Sequence, residues 1–175
     1  MAWEVDLAHT QVAFAIRHLG VSMIRGNMHV SSANLELDEA HPESTSLRAT
    51  IDVNTLNTRD PSRDGHLKTA DFFNVAQYPN IEFATTKVAP GKGDEFEVNG
   101  NLTILGVTKP VTLKGKYAGP VDDPVSGKRK LGFEMEGDIR QGDWGIDWNV
   151  PMTAGGFMLS DRVRLTIDGQ AIEAA

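Results

Sequence analysis

Cysteine is absent from this chain of 175 residues, which excludes disulfide bonds, thiol catalysis and cysteine-ligated metal sites. No apolar run is long enough to form a transmembrane helix. The first residues, Trp3 to Asp6, lack the basic and apolar regions of a secretory signal, so we expect a cytoplasmic protein, or a periplasmic one if a leader has been removed.

Positive charge is also scarce. Lys and Arg number 17 against 24 Asp and Glu, a net charge of −7, which makes nucleic acid a poor partner.

Apolar and polar residues alternate along most of the chain. Between residues 96 and 104 the even positions include Phe96, Val98 and Leu102, whereas the odd positions are polar. This period of two predicts antiparallel strands with one face in water and one in the interior. The same alternation recurs near residues 12–16, 47–53, 111–117, 131–139 and 163–167. We expect eight or nine strands in a closed antiparallel barrel, although a two-sheet sandwich fits the pattern nearly as well.

Two segments depart from simple alternation. The phase of residues 22–37 changes at Ser31 and Ser32, which indicates a bulge or bend in one long strand. Asp60 and Pro61 form a typical helix start, which predicts one short helical insertion near residues 61–73. We therefore predict an all-β single domain over residues 1–175.

Four glycines fall on the predicted inner face of the strands, namely Gly26, Gly100, Gly115 and Gly137. Because glycine adds no side-chain volume, these positions would leave room inside the barrel. The inward positions carry no charge, and Met28 and Met135 among them have flexible apolar side chains. Such an interior would suit an apolar, elongated guest. Alternatively, the glycines only allow the strands to coil strongly.

The alternation also identifies the candidate wall of an internal site. His18 would lie at the mouth, and the long connection 141–160, with Trp144 and Phe157, would form either a lid or an irregular link. The candidate ligand-binding residues are Phe14, Ile16, His18, Met28, Phe83, Leu102, Ile104, Phe133, Met135, Ile139, Trp144 and Phe157.

Asp64 and His66 are spaced as a possible acid–base pair. We favour a structural interpretation, because charged residues crowd a helix start here and the arginines, Arg59 and Arg63, can pair with the carboxylates. The five histidines show no metal-binding spacing. We therefore expect no catalytic residues, no metal and no cofactor.

The motifs as a set resemble the YceI-like family, the bacterial polyisoprenoid-binding, lipocalin-like proteins. The run R-D-x-H-L, D-F-F, Y-P-x-I-x-F covers Arg63 to Phe83, and G-x-L-T-x-x-G-V-T covers Gly100 to Thr108. The resemblance implies an eight-stranded lipocalin-like barrel whose apolar pore holds a long-chain isoprenoid lipid: a polyprenol, a polyprenyl phosphate or an isoprenoid quinone. It also implies carriage, storage or sequestration rather than catalysis, and it makes a homodimer plausible.

Two other functions remain open from the residues alone. One is a small barrel enzyme acting on an apolar substrate, with Asp64 and His66, or Asp143, as acid and base. The other is a solid-cored structural or stress-response module that holds no ligand, in which neighbouring side chains cover the inward glycines.

Overall fold

The computed structural model describes residues 2–175, and its main elements are nine strands and one α-helix. The strands are β1 (Trp3–Val5), β2 (Gln11–His18), β3 (Ser22–Glu36), β4 (Ser46–Asn57), β5 (Asn80–Pro90), β6 (Glu95–Ile104), β7 (Val107–Asp122), β8 (Arg129–Arg140) and β9 (Leu159–Glu173). Helix α1 (Pro61–Leu67) lies between β4 and β5, and short 3₁₀ turns occupy Leu7–His9, Pro42–Ser44 and Gln141–Trp144.

The sheet closes on itself. Its hydrogen-bonded order is β3-β2-β9-β8-β7-β6-β5-β4, and β3 also pairs with β4. Strand β1 pairs with both β3 and β9, so it lies between them, as β2 does. The two strands share one position of the sheet, and the 3₁₀ turn Leu7–His9 separates them along the chain. The nine strands therefore fill eight positions of an antiparallel barrel, which confirms the barrel rather than the sandwich.

The two ends of the barrel are defined by the strand connections. The end called the mouth carries the β2–β3, β4–β5, β6–β7 and β8–β9 connections, including α1. The far end carries the β3–β4, β5–β6 and β7–β8 connections, together with β1. Among residues 2–175, no helix is long and apolar enough to cross a membrane.

The predicted bulge in β3 is confirmed. Val30 pairs with Ile51, and Ser32 pairs with Thr50, so Ser31 is the extra residue between two successive pairs. Its hydroxyl donates to the carbonyl oxygen of Thr50 at 3.1 Å. The bulge accounts for the change of phase, because one unpaired residue moves every later side chain to the opposite face.

Helix α1 begins where the sequence predicts but ends earlier. The Asp60 carboxylate accepts hydrogen bonds from the backbone N–H groups of Ser62 and Arg63, which is the expected N-cap. The helix ends at Leu67 rather than near Phe73. The Thr69 hydroxyl donates to the carbonyl oxygen of His66 at 2.7 Å. The chain then continues through turns that direct Phe72 and Phe73 inward.

The idea that the inward glycines leave free space is wrong. A Cβ at Gly26 would lie 2.5 Å from Cζ of Phe14, and a Cβ at Gly115 would lie 2.5 Å from Cζ of Phe96. The Phe83 ring covers Gly100 in the same way, and Leu113 crowds Gly137. The large side chains of neighbouring strands thus fill the volume that each glycine omits, as the solid-cored alternative expects. The interior is nevertheless not solid, because two apolar cavities lie elsewhere along it.

Candidate functional site

An apolar cavity opens at the mouth of the barrel. Its volume is about 240 Å³, and it is lined by interior side chains of every strand except β1 and β7, together with the segments 63–73 and 141–159. Its lining contains only four side chains with hydrogen-bonding nitrogen or oxygen atoms apart from the two indole groups, namely His18, Arg63, His66 and Gln141. Such a cavity favours apolar guests, because removing apolar surface from water contributes about 25 cal/mol per Å².

Beyond this upper cavity, a second one, the lower cavity, continues toward the far end. It is smaller, about 80 Å³, and its lining is apolar except for Thr10. The two cavities meet at four residues that line both of them, Val12, Ile51, Leu102 and Leu165. An elongated guest that filled both cavities would have to pass these four side chains, which we call the junction.

Eleven of the twelve candidate residues lie in the lining of one cavity or the other. The upper cavity is lined by Phe14, Ile16, His18, Met28, Leu102, Ile104, Ile139 and Trp144. The lower cavity is lined by Phe83, Leu102, Phe133 and Met135. Phe157 is 60% exposed and lies in neither lining. Whether the others contact a ligand stays a prediction.

Arg63 is the charged residue of the lining. Its Nε donates to the Thr58 hydroxyl at 2.8 Å, and its Nη2 donates to the Thr58 carbonyl oxygen at 2.7 Å. Among residues 2–175 we find no acceptor for Nη1 and no carboxylate paired with the guanidinium. The expected pairing of Arg59 and Arg63 with nearby carboxylates is therefore wrong, because the Thr58 backbone and hydroxyl take that role for Arg63.

His66 connects α1 to the opposite side of the mouth. Its Nε2 lies 2.9 Å from an Asp71 carboxylate oxygen. Its ring contacts Phe72 and Trp148 edge-on, with centroid separations of 5.2 Å and 4.9 Å. Because Trp148 belongs to the β8–β9 connection, the cluster of His66, Phe72 and Trp148 packs that connection against α1 and the segment that follows it.

Trp144 and Gln141 fix the start of the β8–β9 connection. The buried Trp144 indole donates to the Leu102 carbonyl oxygen at 3.0 Å, and the Gln141 amide donates to the Ser160 carbonyl oxygen at 3.2 Å. Gly145 then takes the left-handed conformation, with φ of 83°. The segment from Gln141 to Ile146 is therefore a packed part of the cavity wall and not a free lid.

The suggested acid–base pair of Asp64 and His66 is not formed. Asp64 accepts hydrogen bonds from the Thr58 N–H at 2.9 Å and from the Thr58 hydroxyl at 2.6 Å, so it organises the turn before α1. The imidazole of His66 bonds instead to Asp71. Within residues 2–175, His, Asp and Glu side chains also form no group of three suited to holding a metal ion.

The alternation pattern does not identify the part of the mouth that comes from α1 and from the irregular connections. Arg63, His66, Phe72 and Trp148 line the cavity, but they lie outside the strands and follow no period of two. The available signal was local: the apolar residues after α1 have no strand pattern and must pack against something.

Comparisons with known proteins agree with this architecture. The protein-family model described as the YceI-like domain matches residues 3–171 of this chain. Protein YceI of Salmonella arizonae is 44% identical over 138 residues, covering 79% of this chain and 71% of that protein. The crystal structure of Burkholderia cenocepacia BcnA superimposes with a TM-score of 0.80 at 23% identity, covering 95% of this chain and 99% of BcnA.

A further solved structure shares the fold at lower sequence identity. It is a polyisoprenoid-binding domain from Saccharophagus degradans, implicated in plant cell wall breakdown. It superimposes with a TM-score of 0.68 at 14% identity, covering 99% of each chain. At this identity the likeness concerns the fold alone.

Proposed function

Since this chain belongs to the YceI-like family, we propose that it binds an isoprenoid lipid inside the barrel for carriage, storage or sequestration. The observation that carries the proposal is the apolar cavity of about 240 Å³, which is close to the roughly 300 Å³ of the smallest ordinary ligand pockets. The polyisoprenoid-binding neighbour from Saccharophagus degradans, which has the same fold, supports this choice of ligand class.

The proposed ligand enters tail first. The tail fills the upper cavity and passes the junction into the lower one, where every lining side chain except Thr10 is apolar. The headgroup stays at the mouth, where the free Nη1 of Arg63 and the side chains of His18 and Gln141 can donate hydrogen bonds. A polyprenyl phosphate, a polyprenol and an isoprenoid quinone all offer an acceptor there.

Ligand extraction tests the proposal directly. The chain is purified from cells, extracted with organic solvent and analysed by mass spectrometry, and the emptied protein is titrated with a polyprenol and with ubiquinone in detergent. We expect a saturable complex with at least one of them. A protein that carries no lipid from cells and takes up neither compound would contradict the proposal.

The headgroup can be identified by one further variant. Arg63→Gln should weaken binding of a polyprenyl phosphate by about tenfold or more, because a hydrogen bond from a charged donor is lost, while binding of the polyprenol changes little. Arg59→Gln is the matched control, since Arg59 lies on the same segment but outside the cavity lining. If Arg63→Gln weakened binding of both lipids equally, the role of Arg63 would be to hold Thr58 in place and not to bind the headgroup.

We propose a binding role rather than catalysis. Asp64 is engaged by Thr58, and His66 by Asp71. If the barrel were an enzyme working through these side chains, His66→Ala would abolish turnover of the lipid that the chain carries. Lipid recovered chemically unchanged after prolonged incubation supports the binding role.

A further inference from the structure

One side of the mouth is formed by two neighbouring segments that carry no charged side chains. Residues 19–21 join β2 to β3, and residues 149–158 lie within the connection from β8 to β9. The two are in contact, because the Leu19 N–H donates to the Met158 carbonyl oxygen at 2.7 Å. We call them together the uncharged rim. Neither segment contains Asp, Glu, Lys or Arg, although these residues make up 23% of the chain.

The uncharged rim exposes large apolar side chains. Val21 is 80% exposed, Phe157 60%, Leu19 46% and Val150 43%. Isolated apolar side chains are common on protein surfaces, but several on adjoining loops mark a contact surface. The charged residue of the cavity lining, Arg63, comes instead from α1.

Leu19 occupies a backbone conformation that leucine disfavours. Leu19 and Gly20 have φ of 58° and 67°, and the Val21 N–H donates to the His18 carbonyl oxygen, which defines a β-turn with Leu19 and Gly20 as its two central residues. Asn-Gly is the favoured pair for such a turn, because asparagine tolerates positive φ far better than leucine does. An apolar side chain is thus held at the hairpin tip against local preference.

The uncharged rim is continuous with the cavity. Met158 and Trp148, on the same connection as Val150 and Phe157, line the cavity itself. A lipid that left a bilayer beside this rim would therefore pass from membrane to cavity along apolar side chains. On the proposed function, the source and destination of the ligand are membranes, so the surface that meets them must lie at the mouth.

We infer that the uncharged rim is the surface by which this protein docks on a lipid bilayer to exchange its ligand. This inference rests on the proposed lipid-binding function. Leu19, Val21, Val150 and Phe157 enter the headgroup and upper acyl region, as the apolar faces of interfacial elements do. The net charge of −7 opposes approach to anionic surfaces, so docking relies on apolar insertion and favours neutral, phosphatidylcholine-like membranes.

Vesicle flotation with matched variants tests the inference. The full chain is mixed with phosphatidylcholine vesicles. The double variant Leu19→Asn, Val21→Ser should bind them about tenfold or more weakly, because it removes the apolar area that two side chains bury. Raising the salt concentration should change wild-type binding little, since no charge takes part. Leu19→Asn should not reduce thermal stability, because asparagine suits the turn, so lost binding cannot be blamed on unfolding.

The control places the same kind of change at the far end. Val121 and Val125 are 62% and 94% exposed near the β7–β8 connection, and the double variant Val121→Ser, Val125→Ser should float with vesicles as wild type does. The inference is overturned if the rim variant floats like wild type, if both double variants lose binding equally, or if the wild type fails to float. It is also overturned if rim substitution abolishes dimerisation in sedimentation experiments and leaves flotation unchanged.

Uptake from detergent separates this inference from the proposed function. The rim variant should take up ubiquinone or a polyprenol from detergent micelles with wild-type affinity, because the substituted side chains lie outside the cavity lining. Its transfer rate from phosphatidylcholine vesicles should fall together with its vesicle binding. Failure of the wild type to take up lipid from detergent would refute the function, whereas normal detergent uptake with no vesicle binding would refute only the docking surface.

Discussion

At the far end of the barrel, charged side chains join separate parts of the chain, whereas one side of the mouth has no charge in residues 19–21 and 149–158. Arg129 at the start of β8 donates to both Glu39 oxygens at 2.9 Å and to Glu173 at 3.1 Å. Its guanidinium also lies 5.7 Å from the ring centroid of the buried Trp3. Ion pairs thus join separate segments at the far end, whereas the proposed contacts with ligand and membrane lie at the mouth.

The buried apolar side chains also form two separate clusters, one near each end of the barrel. The main buried cluster, around Ile16, Met28 and Trp144, surrounds the upper cavity. A smaller cluster of Val88, Val98, Leu113 and Met135 packs toward the far end, where Phe96 and Phe133 reinforce it. Both clusters contribute to a cavity wall, since Leu113, Phe133 and Met135 line the lower cavity. Stability and binding can therefore be separated only by substitutions outside both linings, such as those at Trp3.

The largest expected effect is on binding, from Leu102→Trp at the junction. The indole would occupy the passage between the two cavities, so lipid uptake in detergent should fall to background. Leu102→Met is the control, because it nearly conserves volume and should keep binding. Full stoichiometric binding by the tryptophan variant would show that the tail does not pass the junction.

The next effect is on stability, from Trp3→Ala at the far end. Trp3 is 3% exposed, and removing a buried aromatic side chain costs about 3–5 kcal/mol of unfolding free energy. Urea unfolding measures this loss. Lipid affinity should remain close to wild type, because Trp3 lines neither cavity. A large loss of lipid affinity in a variant that still folds would contradict the claim that Trp3 at the far end contributes to stability and not to binding.

A smaller loss of stability should follow Gly26→Ala in β3, beneath the Phe14 ring. The new Cβ would meet Cζ of Phe14 at 2.5 Å and Cγ2 of Thr58 at 2.9 Å, and relieving such crowding costs about 1–3 kcal/mol. Gly132→Ala is the matched control, because its Cβ would find its nearest neighbour, the Ala118 carbonyl oxygen, at 3.9 Å. Equal urea midpoints for the two variants would contradict the role of the phenyl ring over Gly26.

The smallest effect concerns the pH dependence of stability. The hydrogen bonds from Arg129 hold the pKa of the Glu39 carboxyl below its ordinary value of 4.5. The pairing therefore stabilises the fold above the unfolded pKa, and this contribution is lost as the pH falls through the folded pKa. Arg129→Gln should lower the thermal midpoint by a few degrees at neutral pH, with the difference from wild type shrinking at pH about 3. A difference that stays constant with pH would exclude the ion pair as its cause.

Much of the scaffold could be predicted from the sequence, because it follows from alternation and local turn chemistry. The strands, the bulge at Ser31 and the Asp60 cap each depend on neighbouring residues alone. The end of α1 could not be predicted in this way, since the turns beyond Leu67 are set by the inward packing of Phe72 and Phe73.

The interior was predicted less well, for a physical reason. A pattern shows which face a glycine occupies but not which side chain of the next strand lies over it, so Phe14 over Gly26 escaped prediction. Arg63 and His66 were recognised as a charged cluster, yet their position at the cavity mouth depends on how α1 folds over the barrel. Phe157 was assigned to the site from its connection, although its side chain faces solvent.

The position of β9 between β8 and β2 governs how this chain folds during synthesis. Residues 11 to 16 of β2 pair with residues 163 to 168 of β9, so the closing contacts join regions separated by most of the sequence. Contacts of such long range make folding slow. Until β9 has left the ribosome, β2 and β8 each keep an open edge, and the nascent chain is then most exposed to misassociation.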